Sequence, residues 1–288
     1  MNIIYGILGG DKRNIKLAQL LAKENDMLYT YGLEKAEEIK NIENIKKCNT
    51  FEEMVEKANC IIGPIPFTKD NTNVNMPYCE KNVAIYDCVK NIEKMTLLAG
   101  QIPKEIEEMA GKDIKIVDLM KNEELTIFNT IATAEGTIQV LMENTDKILQ
   151  GMKVLVLGFG RVAKVVARKL EGLQMDLTCA ARRSSDLAWI ETYGYLSENI
   201  YDLKELSKYD VIINTVPSLI IGENQLEKVK KDVIIIELAS YPGGIDFEKA
   251  KERNIKVISA MGLPGKVAPE SSALYVKRAV SNILKEIY

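Results

Sequence analysis

The chain has 288 residues, of which 47% are hydrophobic and 27% charged, a composition typical of a folded globular protein rather than a disordered one. Its 38 basic and 41 acidic residues give a net charge of −3, so we expect no basic surface for nucleic acid. The sequence contains no histidine, which excludes histidine-dependent hydrolases and histidine-ligated zinc sites.

The first half alternates short β-branched runs with a segment of helical period, the pattern of a parallel sheet covered by helices. The predicted elements are strands at 3–8, 27–31, 60–62, 83–86 and 114–117, and a helix over 14–24. Between two of these strands, residues 63–78 are rich in proline and asparagine and show no period, which predicts a surface loop that could contact a ligand. We predict an N-terminal α/β domain over 1–130.

A connecting helix is predicted over 131–150, where apolar residues recur at helical spacing. The second half then alternates in the same way, and we predict a dinucleotide-binding domain over 151–268. Its strands after the first are expected near 175–180, 211–215, 233–238 and 256–259. Residues 269–288 read as a C-terminal helix that packs back on the first domain. The predicted fold class is α/β, with two Rossmann-like domains built on parallel sheets.

A glycine turn follows the first apolar strand of the second half. Gly158, Gly160 and Ala163 form a GxGxxA pattern between this strand and a helix. The first glycine permits the tight turn, the second lets a pyrophosphate approach the backbone, and the small third residue lets helix and strand pack closely. Arg161 and Val162 lie in the same turn and are predicted cofactor contacts. A glycine turn kept for packing alone is the alternative.

The end of the next strand reads TCAARRSS at 178–185, where dinucleotide-binding folds that prefer NAD usually carry an acid. An acid would bond a free ribose 2′-hydroxyl and repel a 2′-phosphate, whereas arginine and serine donors favour the phosphate. Arg182, Arg183 and Ser184 therefore predict NADP as the cofactor. A solvated basic turn is the alternative.

Two later segments follow predicted strands at the same edge of the sheet. Thr215, Val216 and Pro217 belong to the sequence NTVPS at 214–218, a turn of small residues that can border the cofactor. Residues 259–273 contain two glycines, two prolines and a lysine, and we expect them to line the nicotinamide side of the cleft. An ordinary loop is the alternative for the second segment.

Several of these motifs together resemble the A-subunit family of dipicolinate synthases from spore-forming bacteria. The resemblance is close over about 130–288 and looser before it, and it is carried by NTIATAEGTIQ, GFGRVA, CAARRSSDLAWI, INTVPSLII, ELASYPGGIDF and MGLPGKVAPESSA, with GILGGDKRN near the start. It implies oxidation of dihydrodipicolinate to dipicolinate during sporulation, a partner in the form of a flavoprotein-like B subunit, and the two-domain architecture of D-2-hydroxyacid dehydrogenases.

The predicted substrate is thus a small dicarboxylate, whose two carboxylates need cationic groups and hydroxyls as anchors. The candidates are Arg13 and Lys12 after the first glycine turn, Thr133 and Thr137 at the start of the connecting helix, and Ser218 and Lys266 from the second domain. Oxidation also releases a proton, and without histidine the base is a carboxylate or water. Glu135 and Asp11 are the carboxylates best placed by position, and Lys266 completes the set of catalytic candidates. Glu135 has the alternative role of an acid favoured by the helix dipole.

Three other functions compete with this one. A conventional 2-hydroxyacid dehydrogenase would need a histidine base, and a shikimate-type dehydrogenase would need a lysine and aspartate pair that the first half does not clearly show. The alternative left open is a non-catalytic NADP-binding subunit that regulates or organises its partner.

Composition also guides the expected location. Five scattered cysteines form no CxxC pair, and neither a secretion signal nor a long apolar run is evident. We therefore expect a cytoplasmic protein, in the mother cell by resemblance, with no metal, nucleic-acid or membrane partner. A hetero-oligomer with the B subunit is expected, and a homo-oligomer is left open.

Overall fold

The computed structural model describes residues 3–90 and 94–288. The chain divides into two compact units: unit 1 is Met1–Asn129 with Ala268–Tyr288, and unit 2 is Thr130–Val267. Within the described residues, each unit is built on a six-stranded sheet whose neighbouring strands are parallel. The predicted fold class, two Rossmann-like domains with parallel sheets, is confirmed.

Unit 1 consists of strands β1 Tyr5–Leu8, β2 Leu28–Tyr31, β3 Ile45–Lys47, β4 Cys60–Ile62, β5 Met95–Ala99 and β6 Ile114–Asp118, with helices α1 Lys12–Ala22, α2 Phe51–Lys57 and α3 Lys104–Met109. The strand order is β3-β2-β1-β4-β5-β6. Strands β4 and β5 are buried along their whole length, as expected for apolar runs covered by helices on both faces. The order reverses between β1 and β4.

Two of the predictions for unit 1 are wrong. Residues 83–86 do not join the sheet, and Ile85–Cys88 forms a 3₁₀ helix instead. The backbone here pairs with the preceding loop, since Val74 N donates to Val83 O at 2.9 Å and Ile85 N donates to Thr72 O at 2.9 Å. The second error concerns 63–78, which is not a simple surface loop because Phe67 and Met76 are buried in the core.

Unit 2 consists of strands β7 Lys153–Leu157, β8 Asp176–Ala181, β9 Leu196–Asn199, β10 Val211–Asn214, β11 Ile234–Glu237 and β12 Lys256–Ser259. Their order in the sheet is β12-β11-β10-β7-β8-β9, so the order reverses between β7 and β10. This reversal point, at the carboxyl ends of the strands, is where doubly wound sheets bind their ligands.

Seven further helices complete the described part of the chain. Helix α4 is Glu123–Glu143, followed by α5 Arg161–Gly172, α6 Ser184–Thr192, α7 Glu223–Leu226, α8 Phe247–Glu252, α9 Leu263–Val267 and α10 Pro269–Ile287. Helix α10 belongs to unit 1, where Val276 and Val280 share a buried cluster with Ile15 and Leu17 of α1.

Helix α4 begins and ends earlier than the connecting helix predicted over 131–150. Its start is explained by Asn122, whose side-chain oxygen accepts a hydrogen bond from Leu125 N at 2.9 Å and so caps the helix. Its end is marked by Asn144, whose amide nitrogen donates to Val140 O at 2.7 Å. Residues 133–137 are consequently in the middle of a helix and not at its N-terminus.

Candidate cofactor and substrate sites

The glycine turn after β7 has two glycines in different environments. Gly158 has φ +93°, and a Cβ there would lie 2.6 Å from Thr215 Oγ1, so no larger residue fits without a shift. Gly160 is the N-cap residue of α5, and a Cβ there would meet nothing within 4 Å. Ala163 is fully buried against the sheet. The turn is therefore packed tightly at Gly158 and is open at Gly160, on the side where the helix N-terminus leaves backbone N–H groups for an anion.

The loop after β10 borders this turn across the reversal point of the sheet. Thr215 N and Thr215 Oγ1 both donate to Leu157 O, at 3.0 Å and 2.7 Å, which joins the end of β7 to the loop. Val216 and Pro217 follow, half-buried and exposed respectively. The structure thus brings together the predicted residues of the glycine turn and those of NTVPS.

The end of β8 presents cationic and hydroxyl side chains. Arg182, Arg183 and Ser184 are all exposed, and Ser184 is the first residue of α6. Arg183 Nε donates to Asp186 Oδ2 at 2.9 Å, so part of its charge is engaged within the first turn of α6. Gly158 N donates to Ala180 O at 2.8 Å, which holds this strand end beside the glycine turn. Arginine, serine and the helix start all favour a bound anion here.

A buried carboxylate that the sequence interpretation missed lies at the end of β11. Glu237 is 2% exposed. It accepts hydrogen bonds from Asn214 Nδ2 at 2.8 Å, Ala239 N at 2.8 Å and Gly244 N at 2.7 Å. The available signal was an acid directly after the apolar run of β11, because an acid at that position cannot remain buried without donors.

In unit 1, Arg13 is not available to hold a substrate carboxylate, contrary to the prediction. It is 7% exposed, and its guanidinium is bound to the carboxylate of Asp11, with Nε to Oδ1 at 2.9 Å and Nη2 to Oδ2 at 2.8 Å. Nη2 also donates to the carbonyl of Ile65. Arg13 therefore fixes Asp11 and the 63–78 loop. Asp11 caps α1 through the backbone N–H of Arg13, and about a third of its side chain, 32%, stays exposed.

The glycine turn of unit 1 differs from that of unit 2 because its own chain fills it. Gly10 N donates to Asn75 O at 2.9 Å, and Gly9 lies against the side chain of Met76. The N-cap residue of α1 is the acid Asp11, which would repel a phosphate. This turn is therefore not a second phosphate site.

The predicted groups on α4 also have local partners. Thr137 is fully buried, and its hydroxyl donates to Thr133 O at 2.8 Å, so it is not presented to a ligand as predicted. Glu135 is exposed and accepts from Lys169 Nζ at 2.8 Å. The argument from the helix dipole fails for Thr133, Glu135 and Thr137, because the first turn of α4 lies at Glu123.

The remaining predicted groups lie on exposed surfaces. Lys12 begins α1, Ser218 follows NTVP in the loop after β10, and Lys266 is in α9, and each is exposed.

Cysteine chemistry is disfavoured at two thiols buried in the strands. Burial raises the pKa of Cys60 and of Cys179 to about 12, so both stay protonated near neutral pH.

Two absences hold for residues 3–90 and 94–288. No cluster of three or more cysteine, aspartate or glutamate side chains there is arranged to hold a metal ion. No helix in that part of the chain is both long and apolar enough to cross a membrane.

A glycine turn at the reversal point of a parallel sheet, opening onto a helix N-terminus, defines unit 2 as a dinucleotide-binding domain of the dehydrogenase type. In agreement, residues 130–241 match the family model described as "D-isomer specific 2-hydroxyacid dehydrogenase, NAD binding domain". Residues 5–120 match the family model of the N-terminal domain of the dipicolinate synthase A subunit.

Whole-chain relatives agree with both matches. The chain is 30% identical to the A subunit of dipicolinate synthase from Bacillus subtilis strain 168, over 98% of this chain and 95% of that protein. A crystal structure of the B. subtilis protein has a TM-score of 0.87 at 30% identity, covering 100% and 97% of the two chains. The crystal structure of the A subunit from Bacillus halodurans has a TM-score of 0.88 at 29% identity, covering 98% and 97%. The chain belongs to the A-subunit family of dipicolinate synthases.

A more distant structural relative shares the fold alone. The transhydrogenase of Sinorhizobium meliloti has a TM-score of 0.66 at 14% identity, covering 98% of this chain and 94% of that one. The evidence for a nicotinamide dinucleotide site is the geometry of unit 2 and its family match. The residues at the end of β8 bear on the preference between NAD and NADP.

Proposed function

We propose that this chain oxidises dihydrodipicolinate to dipicolinate with NADP⁺, acting together with a B subunit. The substrate ring loses a hydride and a proton, and the product ring is aromatic, so aromatisation itself drives the reaction. NADP⁺, when bound, supplies the hydride acceptor. Membership of the A-subunit family of dipicolinate synthases supports the substrate, and the dinucleotide-binding domain supports the redox class.

The open glycine turn of unit 2 is the observation that carries the proposal. Because a Cβ at Gly160 would meet nothing within 4 Å, the backbone leaves room for a pyrophosphate beside the start of α5. Arg161 and Val162 begin this helix and would bring their backbone N–H groups to the phosphates. Thr215, Val216 and Pro217 would border the cofactor on the other side of the reversal point.

The preference for NADP is proposed from the end of β8. Arg182, Arg183 and Ser184 occupy the position where an acid would bind a free 2′-hydroxyl. A charge-assisted hydrogen bond from arginine to phosphate contributes about 1.5–3 kcal/mol, with the lower value expected for exposed groups. Two such contacts predict a preference for NADP⁺ over NAD⁺ of about 100-fold.

For the substrate, we propose Asp11 as the proton acceptor. It lies at the carboxyl end of β1, is partly exposed, and is held in place by the bound guanidinium of Arg13. Glu135 is a weaker candidate because it lies in the middle of α4 and not at the carboxyl end of a strand. Lys12, Thr133, Ser218 and Lys266 remain proposed contacts to the dicarboxylate, whereas Thr137 and Arg13 do not.

The nucleotide proposal is tested by calorimetric titration of the purified chain with NADP⁺ and NAD⁺. The double variant Arg182→Ala/Arg183→Ala is expected to lose about 100-fold in affinity for NADP⁺ and to bind NAD⁺ unchanged. Arg168→Ala is the matched control, since Arg168 is an exposed arginine of α5 that pairs with Glu171 at 2.6 Å. Equal NADP⁺ affinity in the double variant and the control would reject the assignment of the 2′-phosphate site.

A second candidate function is a subunit that binds the nucleotide and organises its partner without catalysing the reaction. Two groups that were predicted to anchor the substrate favour this second function, because each binds another part of this chain instead. Arg13 donates to the carbonyl of Ile65, and Thr137 donates to the carbonyl of Thr133. This second function predicts that Asp11→Asn leaves the turnover of the complete complex unchanged, whereas the catalytic proposal predicts a loss of about 100-fold or more.

A further inference from the structure

The carboxylate of Glu237 connects two loops at the carboxyl edge of the sheet in unit 2. One donor, Asn214 Nδ2, comes from the end of β10, and two backbone donors, Ala239 N and Gly244 N, come from the loop after β11. Asn214 in turn fixes the loop that follows it, since Nδ2 donates to Val216 O at 2.9 Å and Oδ1 accepts from Val216 N at 3.1 Å. A single buried side chain therefore sets the conformation of both loops.

The two loops are also in direct backbone contact. Ile220 N and Ile221 N both donate to Gly244 O at 2.9 Å. A Cβ at Gly244 would lie 2.7 Å from Val216 O and 2.8 Å from Ser218 O, so only glycine permits this approach. Residues 214–221 and 238–244 thus form one frame, which we call the β10–β11 frame, with Glu237 at its centre.

The position of this frame in the sheet indicates which half of a dinucleotide it borders. A doubly wound sheet binds one nucleotide on each of its halves. The glycine turn and the end of β8 belong to the half proposed to hold the adenosine phosphates. Strands β10 and β11 belong to the other half, so the frame would border the nicotinamide of a bound dinucleotide. It carries Ser218, which is exposed, and Tyr241, which is 90% exposed.

We propose that Glu237 is a positioning residue for the nicotinamide half of the cofactor, acting through the β10–β11 frame and not by direct contact. This inference rests on the proposed nucleotide function and adds a residue to it. This role would account for the burial of Glu237, which costs free energy. The carboxylate accepts hydrogen bonds from uncharged N–H groups, which only partly replace the water that it loses on burial.

The test compares a whole dinucleotide with its adenosine half. Glu237→Gln keeps the shape of the side chain but replaces one acceptor oxygen with a donor, so it cannot satisfy the three N–H groups. Calorimetry measures binding of NADP⁺ and of 2′,5′-ADP, or of NAD⁺ and ADP if the wild type prefers NAD⁺. Asn214→Ser is a second variant that removes the link from Asn214 to Glu237 together with the two hydrogen bonds from Asn214 to Val216.

The matched control is Glu198→Gln. Glu198 lies on β9 in the same unit and accepts from Lys208 Nζ at 2.8 Å and Tyr209 OH at 2.8 Å. The substitution removes the charge that pairs with Lys208 in unit 2 without changing the β10–β11 frame. Thermal unfolding of each variant, recorded in parallel, reports the general loss of stability separately from binding.

The expected result is a loss of about tenfold or more in dinucleotide affinity for Glu237→Gln and Asn214→Ser, with affinity for the adenosine half within about twofold of the wild type. Glu198→Gln should retain both affinities even where its Tm falls. Equal losses for the dinucleotide and its half, or no loss for folded Glu237→Gln, would overturn the inference alone. A wild-type chain that binds neither dinucleotide would overturn the proposed function and this inference together.

Discussion

The two glycines of the turn after β7 predict opposite effects of the same substitution. Gly158→Ala places a methyl group 2.6 Å from Thr215 Oγ1 at a φ of +93°, so it should damage folding. Gly160→Ala places a methyl group in open space at a φ of −83°, a value that any residue adopts, so the variant should fold. That methyl group would instead occupy the space proposed for the pyrophosphate.

The magnitudes follow from these two environments. For Gly158→Ala, backbone strain costs about 1–3 kcal/mol and crowding against Thr215 about 1–3 kcal/mol more. At about 2–4 °C per kcal/mol for a domain of this size, Tm should fall by about 4–24 °C. For Gly160→Ala, the change in the free energy of unfolding should stay within about 1 kcal/mol, because only the N-cap preference is altered. Its nucleotide affinity should fall by about tenfold or more, equivalent to about 1.4 kcal/mol.

Thermal unfolding monitored by circular dichroism measures the first effect, and calorimetric titration with NADP⁺ measures the second. Each variant serves as the control for the other, since they differ by two positions in one turn. Wild-type nucleotide affinity in Gly160→Ala, or a wild-type Tm in Gly158→Ala, would contradict these two assignments.

Two further predictions concern acids of the chain. In the complex with the proposed B subunit, Asp11→Asn should reduce turnover by about 100-fold or more. Glu135→Gln should leave turnover within about threefold of the wild type, because it removes only an exposed ion pair worth up to about 1 kcal/mol. Equal losses for the two variants in a steady-state assay would contradict the assignment of Asp11 as the proton acceptor. Asp70 accepts hydrogen bonds from the backbone N–H of Asn73, from the side chain of Asn73 and from the backbone N–H of Thr72. These hydrogen bonds lower the pKa of Asp70 from its ordinary value of 3.8. A carboxyl group with a lower pKa in the folded state stabilises that state fully at pH values above its ordinary pKa, and this stabilisation is lost as the pH falls through the pKa of the folded state. Urea unfolding below about pH 4 should therefore show a shallower pH dependence in Asp70→Asn than in the wild type.

Five of the six strands of unit 2 and its glycine turn could be predicted because their signals are local, whereas the edge strand β9 was not predicted. The apolar run before Gly158 and the spacing to Gly160 and Ala163 lie within one segment, and the structure keeps them on adjacent elements. Unit 1 was harder to predict, because β3 is a three-residue edge strand and residues 83–86 pair with a loop instead of the sheet. A short apolar run does not reveal its partner.

Two of the errors at the candidate site involve partners that are distant in sequence. Arg13 was predicted to hold a substrate, but its guanidinium reaches the carbonyl of Ile65, 52 positions away. Glu237 was not singled out, because its role depends on Asn214 and Gly244 meeting around it in the folded chain. The start of α4 was misplaced for a local reason, since the cap at Asn122 precedes the apolar pattern that was used to locate the helix.

We propose that the chain transfers a hydride from its substrate to a nucleotide held at the glycine turn of unit 2. The most direct measurement supplies dihydrodipicolinate and NADP⁺ to this chain together with the proposed B subunit, and follows NADPH and dipicolinate together. We predict one NADPH for each dipicolinate formed, and, at an NADP⁺ concentration below the Kd of the wild type, a fall of about tenfold or more in both products for the complex that carries Gly160→Ala. Dipicolinate formed at an undiminished rate by that variant complex, or without any nicotinamide nucleotide, would contradict the claim.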